Sequence, residues 1–221
     1  MGVISFASKD SDGVTDVISL IVEGPGDAAA APLLVRNLLL HFNASGYVVK
    51  VQNAHGHNNI TKPKGLEDFL RRQRSNPDCK GAIVLLDAEE EHCDCPLELA
   101  LSLAQRAKDL RLAFSVVIIC PQCEYESWFL TSIHKMGKWL LPGTTFEGDP
   151  ETMQNVKQWI TNHRKKGDPY RETEHQASMT SAIDLDHNIA HSRSFRRMAH
   201  AVEELLEAIQ TGTPVVTPTR E

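Results

Sequence analysis

Short apolar segments that alternate with helical patterns most restrict how this chain of 221 residues can fold. Residues 17–22, 81–86 and 114–120 are almost wholly apolar, and residues 47–51 form a fourth candidate strand. Such strands are typical of a parallel sheet, because helices cover both of its faces and no strand needs an alternating polar side. The sequence therefore predicts an α/β fold in which a parallel sheet is flanked by helices.

Helical patterns fill the segments between the predicted strands, at residues 27–43, 66–74 and 96–108. Residues 53–65 are different, because they are rich in Gly, Pro and Asn. That composition predicts an irregular loop after the second strand.

The second half of the chain shows helical patterns and no convincing strand. We therefore expect an α/β core over residues 14–141 and a helical extension over residues 142–210. The remaining residues, 211–221, contain two prolines and lack hydrophobic periodicity, so they are predicted to form a flexible tail.

The charge and hydropathy of the chain restrict its partners. The formal net charge of −6 gives no overall attraction to nucleic acid, so binding to phosphates requires a local basic patch or metal ions. The sequence has no apolar run of about eighteen residues and no signal peptide. We therefore expect a cytoplasmic protein with no membrane partner.

Acidic residues follow three of the predicted strands. Glu23 follows the first, Asp87 and Glu89 follow the third, and Glu124 and Glu126 follow the fourth. The carboxyl ends of parallel strands lie along one edge of a sheet, so these carboxylates would crowd together and repel unless a cation neutralises them. Hard oxygen ligands suit Mg²⁺ or Mn²⁺. The alternative is that they are ordinary solvated acids in loops.

Asp27 joins this acidic set through the turn after the first strand. The sequence Gly24-Pro25-Gly26 lets the backbone turn at the strand end, and Asp27 is then expected to cap the first helix. Glu23 and Asp27 would in that case share one cleft.

Two groups of cations are candidates for binding phosphate. Lys62 and Lys64 lie in the predicted loop after the second strand, whereas Arg193, Arg196 and Arg197 lie at the start of a late helix. The arginines are the better candidates, because the free backbone N–H groups of a helix N-terminus also attract anions. The alternative is an ordinary solvated helix face that balances acids further along the same helix.

Four cysteines suggest a rival metal. Cys93 and Cys95 follow the third predicted strand, and Cys120 and Cys123 follow the fourth, so the four thiols could form a tetrahedral zinc site. Ordinary thiols in a reducing cytosol are the favoured interpretation. We therefore predict that the purified protein contains little zinc.

Several motifs resemble those of known families. Glu23-Gly24 after one strand and Asp87-Ala88-Glu89 after another resemble the Toprim domain, whose pattern is Glu-Gly followed by Asp-x-Asp; the sequence departs from it at Glu89. A closer resemblance is to the Toprim-like family called domain of unknown function 4276, with motifs VEG-x-(T/S)-E, E-x-E-x-W and S-x-S-F. The corresponding sequences here are VEGPGD at 22–27, EYESW at 124–128 and SRSF at 192–195. The resemblance spans about residues 17–210.

The resemblance implies metal-dependent phosphoryl chemistry, because Toprim nucleases of the overcoming-lysogenization type hold divalent metal over the phosphates of nucleic acid. It implies a nuclease or phosphodiesterase that acts on nucleic acid, with DNA favoured over RNA, in phage defence or repair. Glu23 would be the general base or a metal-bridging acid, and Asp87 would be a metal ligand. The further ligands would be Asp27, Glu89, Glu124 and Glu126.

A partner is also implied, because proteins of this kind are often encoded beside ABC-type ATPases. The chain itself has no G-x-x-x-x-G-K-(S/T) motif, so any use of ATP would belong to that partner. The alternative function is a non-catalytic interaction subunit of an ATPase complex. Whether the chain forms a homo-oligomer stays open.

Overall fold

The computed structural model describes residues 16–88 and 95–219. Its centre is a five-stranded parallel sheet with the strand order β2-β1-β3-β4-β5. The strands are β1 (Val17–Val22), β2 (Val48–Asn53), β3 (Cys79–Leu85), β4 (Ser115–Ile119) and β5 (Val216–Thr217). The predicted α/β fold with a parallel sheet is confirmed.

Helices pack on both faces of the sheet. They are α1 (Pro25–His41), α2 (His57–Thr61), α3 (Gly65–Arg74), α4 (Pro96–Asp109), α5 (Ser127–Thr131), α6 (Val156–Asn162), α7 (Ala177–Thr180), α8 (Leu185–His191) and α9 (Arg193–Thr211). None of these helices is long and apolar enough to cross a membrane.

The two faces of the sheet contribute to two hydrophobic cores. On β1, Ile18 and Leu20 pack in the core that contains α1 and α9, whereas Ile21 packs in the core that contains α3 and α4. All three side chains are fully buried. Burial on both faces explains why the strand has no alternating polar positions.

The C-terminal helices pack directly on the sheet. Helix α9 approaches β3 so closely that a Cβ atom at Gly81 would lie 2.6 Å from Leu205 Cδ1. Side chains from both sides of the boundary predicted at residue 141, such as Leu34 and Leu206, lie in one core. The helical extension is therefore part of the covering of the sheet.

Part of the segment predicted as a flexible tail, residues 211–221, forms a short strand in the structure. Strand β5 pairs with β4, the Val116 N–H donates to the Val215 carbonyl at 2.8 Å, and the Val215 N–H donates to Ser115 Oγ at 3.1 Å. The edge of β4 offers unpaired backbone groups, and the two prolines flank the short strand without interrupting it. Residues 220–221 lie outside the described residues.

Two local predictions also differ from the structure. The segment 53–65, predicted as an irregular loop, contains the short helix α2, which the chain enters through Gly56 at a φ of 122°. A positive φ is easy for glycine, so Gly56 starts this helix where composition suggested only a loop. Helix α1 begins at Pro25, two residues before Asp27, so Asp27 lies within its first turn.

Candidate active site

Acidic side chains converge at the carboxyl edge of the sheet, where β1, β3 and β4 end side by side. Glu23 directly follows β1, Asp87 lies just beyond β3, and Glu126 follows β4 at the start of α5. Asp27 reaches the same place from the first turn of α1. The structure therefore brings together four of the acids that the sequence singled out.

Asp87 is the centre of this acidic cluster, which we define as Glu23, Asp27, Asp87 and Glu126. Loss of solvent around its carboxyl group raises the pKa of Asp87 well above the ordinary value, and the negative charges of Asp27, Glu126 and Glu23 raise it further. Lys157 acts in the opposite direction. Like charges this close favour a cation at the site.

Glu126 is completely buried. Its Oε1 atom accepts a hydrogen bond from the Tyr170 hydroxyl at 2.7 Å, whereas its Oε2 atom has no hydrogen-bond partner. Burial raises the pKa of Glu126 to about 8, although Lys157 and Tyr170 pull it downward. At pH 7 this carboxyl group is therefore largely protonated.

Asp27 is held from two directions. Its Oδ1 atom accepts a hydrogen bond from Gln176 Nε2 at 2.9 Å, and its Oδ2 atom accepts one from the Gly24 N–H at 3.2 Å. Burial raises the pKa of Asp27, and these hydrogen bonds offset part of that effect. Gly26 is needed here, because a Cβ atom at that position would collide with Gln176 Oε1.

Glu23 lies beside His57, which belongs to the segment that the sequence predicts as an irregular loop. The Nδ1 atom of His57 is 3.6 Å from Glu23 Oε2, and the His57 side chain is buried. The Glu23 side chain is 26% exposed, so water reaches it more readily than it reaches Glu126. The short helix α2 is what places His57 at this edge.

Lys157, at the start of α6, supplies positive charge to the acidic cluster. Its Nζ atom is 2.8 Å from Glu172 Oε1, and its backbone N–H donates to Glu124 Oε2 at 3.2 Å. Burial lowers the pKa of Lys157, but the charges of Glu126, Asp87 and Glu172 outweigh burial and raise it, so the side chain remains an ammonium ion.

No sequence pattern indicates the residues that the C-terminal half adds to the site. Lys157, Tyr170, Glu172 and Gln176 are single polar residues in helical or irregular segments, far along the chain from the strand ends. Two sequence features point to these surroundings of the site only indirectly. The two acids of the EYESW motif, Glu124 and Glu126, accept hydrogen bonds from Lys157 and Tyr170 of the C-terminal half. His57, in the segment after β2, lies next to Glu23.

The EYESW and SRSF motifs meet in space. Trp128 Nε1 donates to Ser194 Oγ at 2.9 Å, and the Trp128 ring lies edge-on to Phe195 with 5.2 Å between centroids. Trp128 is completely buried, so its role is one of packing. Together with the bond from Tyr170 to Glu126, these contacts fasten the segment after β4 to the C-terminal helices.

The N-terminus of α9 is already bound by an internal carboxylate. Glu151 is buried and accepts hydrogen bonds from Ser192 Oγ at 2.8 Å and from the Ser194 N–H. Burial raises the pKa of Glu151, but its hydrogen bonds with Ser194, Ser192 and Arg193 outweigh this effect and lower it. The backbone donors predicted to attract a phosphate are therefore partly used within the protein.

The three arginines of α9 line one cavity of about 510 Å³ beside the ends of β4 and β5. Arg193 Nε is 3.3 Å from Glu151 Oε2, and Arg196 donates to the carbonyls of Ile189 and Ala190 at 2.8 Å each. Arg197 is exposed. The start of α4 forms the opposite wall, so the cavity is a basic groove between two helices.

The two lysines predicted to bind phosphate lie elsewhere. Lys62 and Lys64 are exposed in the segment between α2 and α3, and Lys62 Nζ donates to Asn59 Oδ1 at 2.8 Å. Neither lysine lines the arginine groove. The two groups of cations predicted to bind phosphate therefore do not line the same cavity.

Carboxylate oxygen atoms, such as those of the acidic cluster, are the ligands that hard divalent ions prefer. The buried Glu126 Oε2 has no hydrogen-bond partner. Within residues 16–88 and 95–219, however, no three His, Cys, Asp or Glu side chains are arranged so that they could hold a metal ion together. Glu89 lies outside the described residues, as does Cys93. Of the remaining candidate zinc ligands, Cys120 is buried and Cys123 Sγ lies 3.6 Å from the Glu151 carbonyl.

Together, these features define an α/β protein whose parallel sheet carries a largely buried acidic site at its carboxyl edge. The chain belongs to the family described as domain of unknown function (DUF4276), whose model matches residues 22–203. The matched range contains the acidic cluster and the EYESW and SRSF motifs, and the resemblance to this family is confirmed. No curated protein and no solved structure matches the chain.

Proposed function

We propose that this chain is a Toprim-like, divalent-metal-dependent nuclease or phosphodiesterase that acts on nucleic acid, DNA rather than RNA, in phage defence or repair. The observation that carries the proposal is the convergence of Glu23, Asp27, Asp87 and Glu126 at the carboxyl edge of the sheet. Ligand sites of open α/β sheets lie at that edge. Crowded, desolvated carboxylates of this kind are typical of functional sites.

In this proposal a metal-bound form would draw Glu23, Asp27 and Asp87 around Mg²⁺ or Mn²⁺, with Glu89, Glu124 and Glu126 as further ligands. In the part of the chain that the structure describes, no three of these side chains are already arranged around one ion. The ion, when bound, supplies charge neutralisation for the phosphate and lowers the pKa of a water molecule. Glu23 is our candidate for taking a proton from the attacking water, because its side chain is 26% exposed, whereas Glu126 is completely buried.

His57 would position the Glu23 carboxylate. Its Nδ1 atom lies 3.6 Å from Glu23 Oε2, on the side of Glu23 that faces α2. A buried imidazole at this distance restricts the rotamers of the glutamate, and a general base must be held close to the proton that it removes. His57 therefore acts through Glu23 and has no direct role on the substrate.

The arginine groove would bind the phosphates of the nucleic-acid backbone. Arg193 and Arg197 are exposed at the start of α9 and line the cavity beside the ends of β4 and β5. Because the net charge of −6 gives no overall attraction to nucleic acid, phosphate binding requires a local basic groove of this kind. Lys62 and Lys64 do not line this groove, so they would contact only parts of the nucleic acid that extend outside it.

We also propose a partner, an ABC-type ATPase that works with this chain in the cytoplasm. The support is the family resemblance together with the absence of a phosphate-loop motif from the sequence. The chain purified alone is expected to lack ATPase activity. Hydrolysis of ATP by the homogeneous chain would contradict this part of the proposal.

The test is a cleavage assay on plasmid DNA, single-stranded DNA and RNA with Mg²⁺ or Mn²⁺, with and without the ATPase partner. EDTA should abolish cleavage, and Asp87→Ala or Glu23→Gln should slow it by about a hundredfold or more, which corresponds to about 3 kcal/mol of transition-state stabilisation. Glu207→Gln, an exposed acid distant from the strand ends, is the matched control and should retain wild-type activity. Equal rates in all variants would refute the site.

A second function, that of a non-catalytic interaction subunit, is favoured by two observations. Lys157 already supplies positive charge to the acidic cluster, and in the described part of the chain no three ligands are arranged around one ion. A folded protein that cleaves none of the substrates with any metal, yet binds the ATPase, would support this alternative over hydrolysis.

A further inference from the structure

We infer that the arginine groove holds the terminal nucleotide of a single DNA strand, so that the chain acts from a strand end. The inference rests on the proposed function, because it names the part of the nucleic acid that the groove would bind. It concerns the cavity beside the ends of β4 and β5, which lies along the same edge of the sheet as the acidic cluster.

The volume of the groove fits one nucleotide. The cavity measures about 510 Å³, and pockets of about 300–1,000 Å³ enclose a single small ligand. Its floor is the end of β4, its two walls are the start of α4 and residues 193–204 of α9, and residues 217–219 border a further side. A DNA duplex is too wide to enter between these elements, whereas one unpaired nucleotide is not.

The two walls differ in chemistry, as the two parts of a nucleotide do. The α9 wall carries the exposed side chains of Arg193 and Arg197, which suit a phosphate. The α4 wall carries Pro96 and Leu97, and Leu97 is 44% exposed although it is a large apolar residue. An apolar surface opposite arginines suits a base, because unpaired bases pack on apolar side chains and stack on guanidinium planes. A simple phosphate ion would use only one of the two walls.

Glu204 lies at the far end of the groove from Arg193. It follows Arg197 by seven residues on α9, which is about 10 Å along the helix axis and close to the length of one nucleotide. Glu204, Thr217 and Thr219 line both this groove and the next cavity along α9, so they form the boundary between the two. A carboxylate repels a further phosphate, but it can accept a hydrogen bond from a base. The DNA backbone can therefore enter the groove, but it is not favoured to continue past Glu204.

The arginine end of the groove lies next to the segment that carries Glu126. Ser194 Oγ, beside Arg193, accepts a hydrogen bond from Trp128 Nε1 at 2.9 Å, and Trp128 is two residues after Glu126. Neighbouring strands of a sheet are about 4.8 Å apart, so the groove and the acidic cluster are separated by on the order of 5–15 Å along the edge. A strand whose last nucleotide fills the groove would therefore present a phosphate near its end to the acidic cluster.

The rival explanation is that α9 exposes an ordinary charged face to solvent, on which arginines balance Glu204. DNA would then bind only through its overall charge, so a linear strand and a circle of the same sequence would bind equally. Glu204→Gln would strengthen the binding of both to the same extent. A site for a strand end predicts tight binding of the linear strand alone, and Glu204→Gln should then strengthen the binding of the circle more than that of the linear strand.

The test measures the affinity of the full chain for a fluorescent single-stranded oligonucleotide, either linear or closed into a circle, by fluorescence anisotropy in EDTA. EDTA prevents metal-dependent cleavage, so the measurement does not depend on hydrolysis. The linear strand should bind at least about tenfold more tightly than the circle. Arg197→Gln should abolish this preference and Leu97→Ser should reduce it, whereas Arg36→Gln, which removes an exposed arginine of α1, should match the wild type.

Equal affinity for the linear strand and the circle would overturn the inference, and so would the absence of binding to either. A deoxynucleoside monophosphate that binds as tightly as the linear strand would identify a free nucleotide as the ligand and overturn the assignment to a strand end. A preference for the linear strand without cleavage in Mg²⁺ or Mn²⁺ would support the inference while contradicting the proposed hydrolysis. Metal-dependent cleavage of the circle as fast as of the linear strand would do the reverse.

Discussion

Replacing Glu126 with glutamine should make the metal-free protein more stable at alkaline pH. Glutamine keeps the shape of the side chain, and its carbonyl oxygen can still accept the hydrogen bond from Tyr170. It also offers an amide N–H at the position of Oε2, which has no partner in the wild type. Because the amide nitrogen replaces a protonated oxygen that also lacks a partner, the main change is that this buried group can no longer ionise.

The magnitude follows from the shift in the pKa of Glu126. Burial raises it from the ordinary 4.5 to about 8, and one pKa unit is worth about 1.4 kcal/mol, so ionisation in the folded protein costs roughly 5 kcal/mol more than in the unfolded chain. Between these two pH values the folded protein holds a proton that the unfolded chain has released. Stability of the wild type should therefore fall as pH rises from about 4.5 to about 8, by up to about 1.4 kcal/mol per unit from this residue.

Urea unfolding in EDTA at pH 5, 6.5 and 8 measures the free energy of unfolding of the wild type and Glu126→Gln. The difference between the two proteins should be smallest at pH 5 and should grow by a few kcal/mol in favour of the variant by pH 8. Glu207→Gln, an exposed acid on α9, is the control and should follow the wild type at every pH. A difference that does not change with pH would refute the buried, protonated state of Glu126.

Two further predictions concern the packing of the site and the cysteines. Gly26→Ala should lower the free energy of unfolding by about 1–3 kcal/mol in urea titrations, because the added Cβ would lie 2.6 Å from Glu172 Cβ, whereas Gly24→Ala meets only an ordinary 3.6 Å contact with Asp27. Elemental analysis of the purified protein should find little zinc, and near-stoichiometric zinc that is lost in Cys95→Ser or Cys123→Ser would contradict this.

The sequence predicted those parts of the fold in which burial leaves a strong pattern. Strands β1, β3 and β4 are covered on both faces, so their sequences are almost continuously apolar and their ends are easily located. Glu23 and Asp87 were found for the same reason, since each interrupts such a run. Strand β5 was missed, because a two-residue strand has no periodicity and depends on the edge of β4 for its hydrogen bonds.

The sequence predicted only those residues of the candidate site that follow the strands of the sheet. The acids at the strand ends share a local signal, a charge after an apolar run, whereas Lys157, Tyr170 and Gln176 share none. Their positions depend on how α6 and the π-helical turn Glu172–Gln176 pack above the sheet. Periodicity describes which face of an element is buried, and it does not predict which distant side chain will meet a given carboxylate.

The charge balance of the site therefore depends on both halves of the chain. The sheet supplies carboxylates, and the segment beyond residue 141 supplies the ammonium group of Lys157, the hydroxyl donor of Tyr170 and the amide donor of Gln176. Without that segment the acids would repel, and Glu126 would be exposed to water instead of being held in a buried hydrogen bond. The acidic cluster is thus a product of the packing of the helical half on the sheet, and any change in that packing, including one caused by a bound partner, would alter how strongly the cluster attracts a cation.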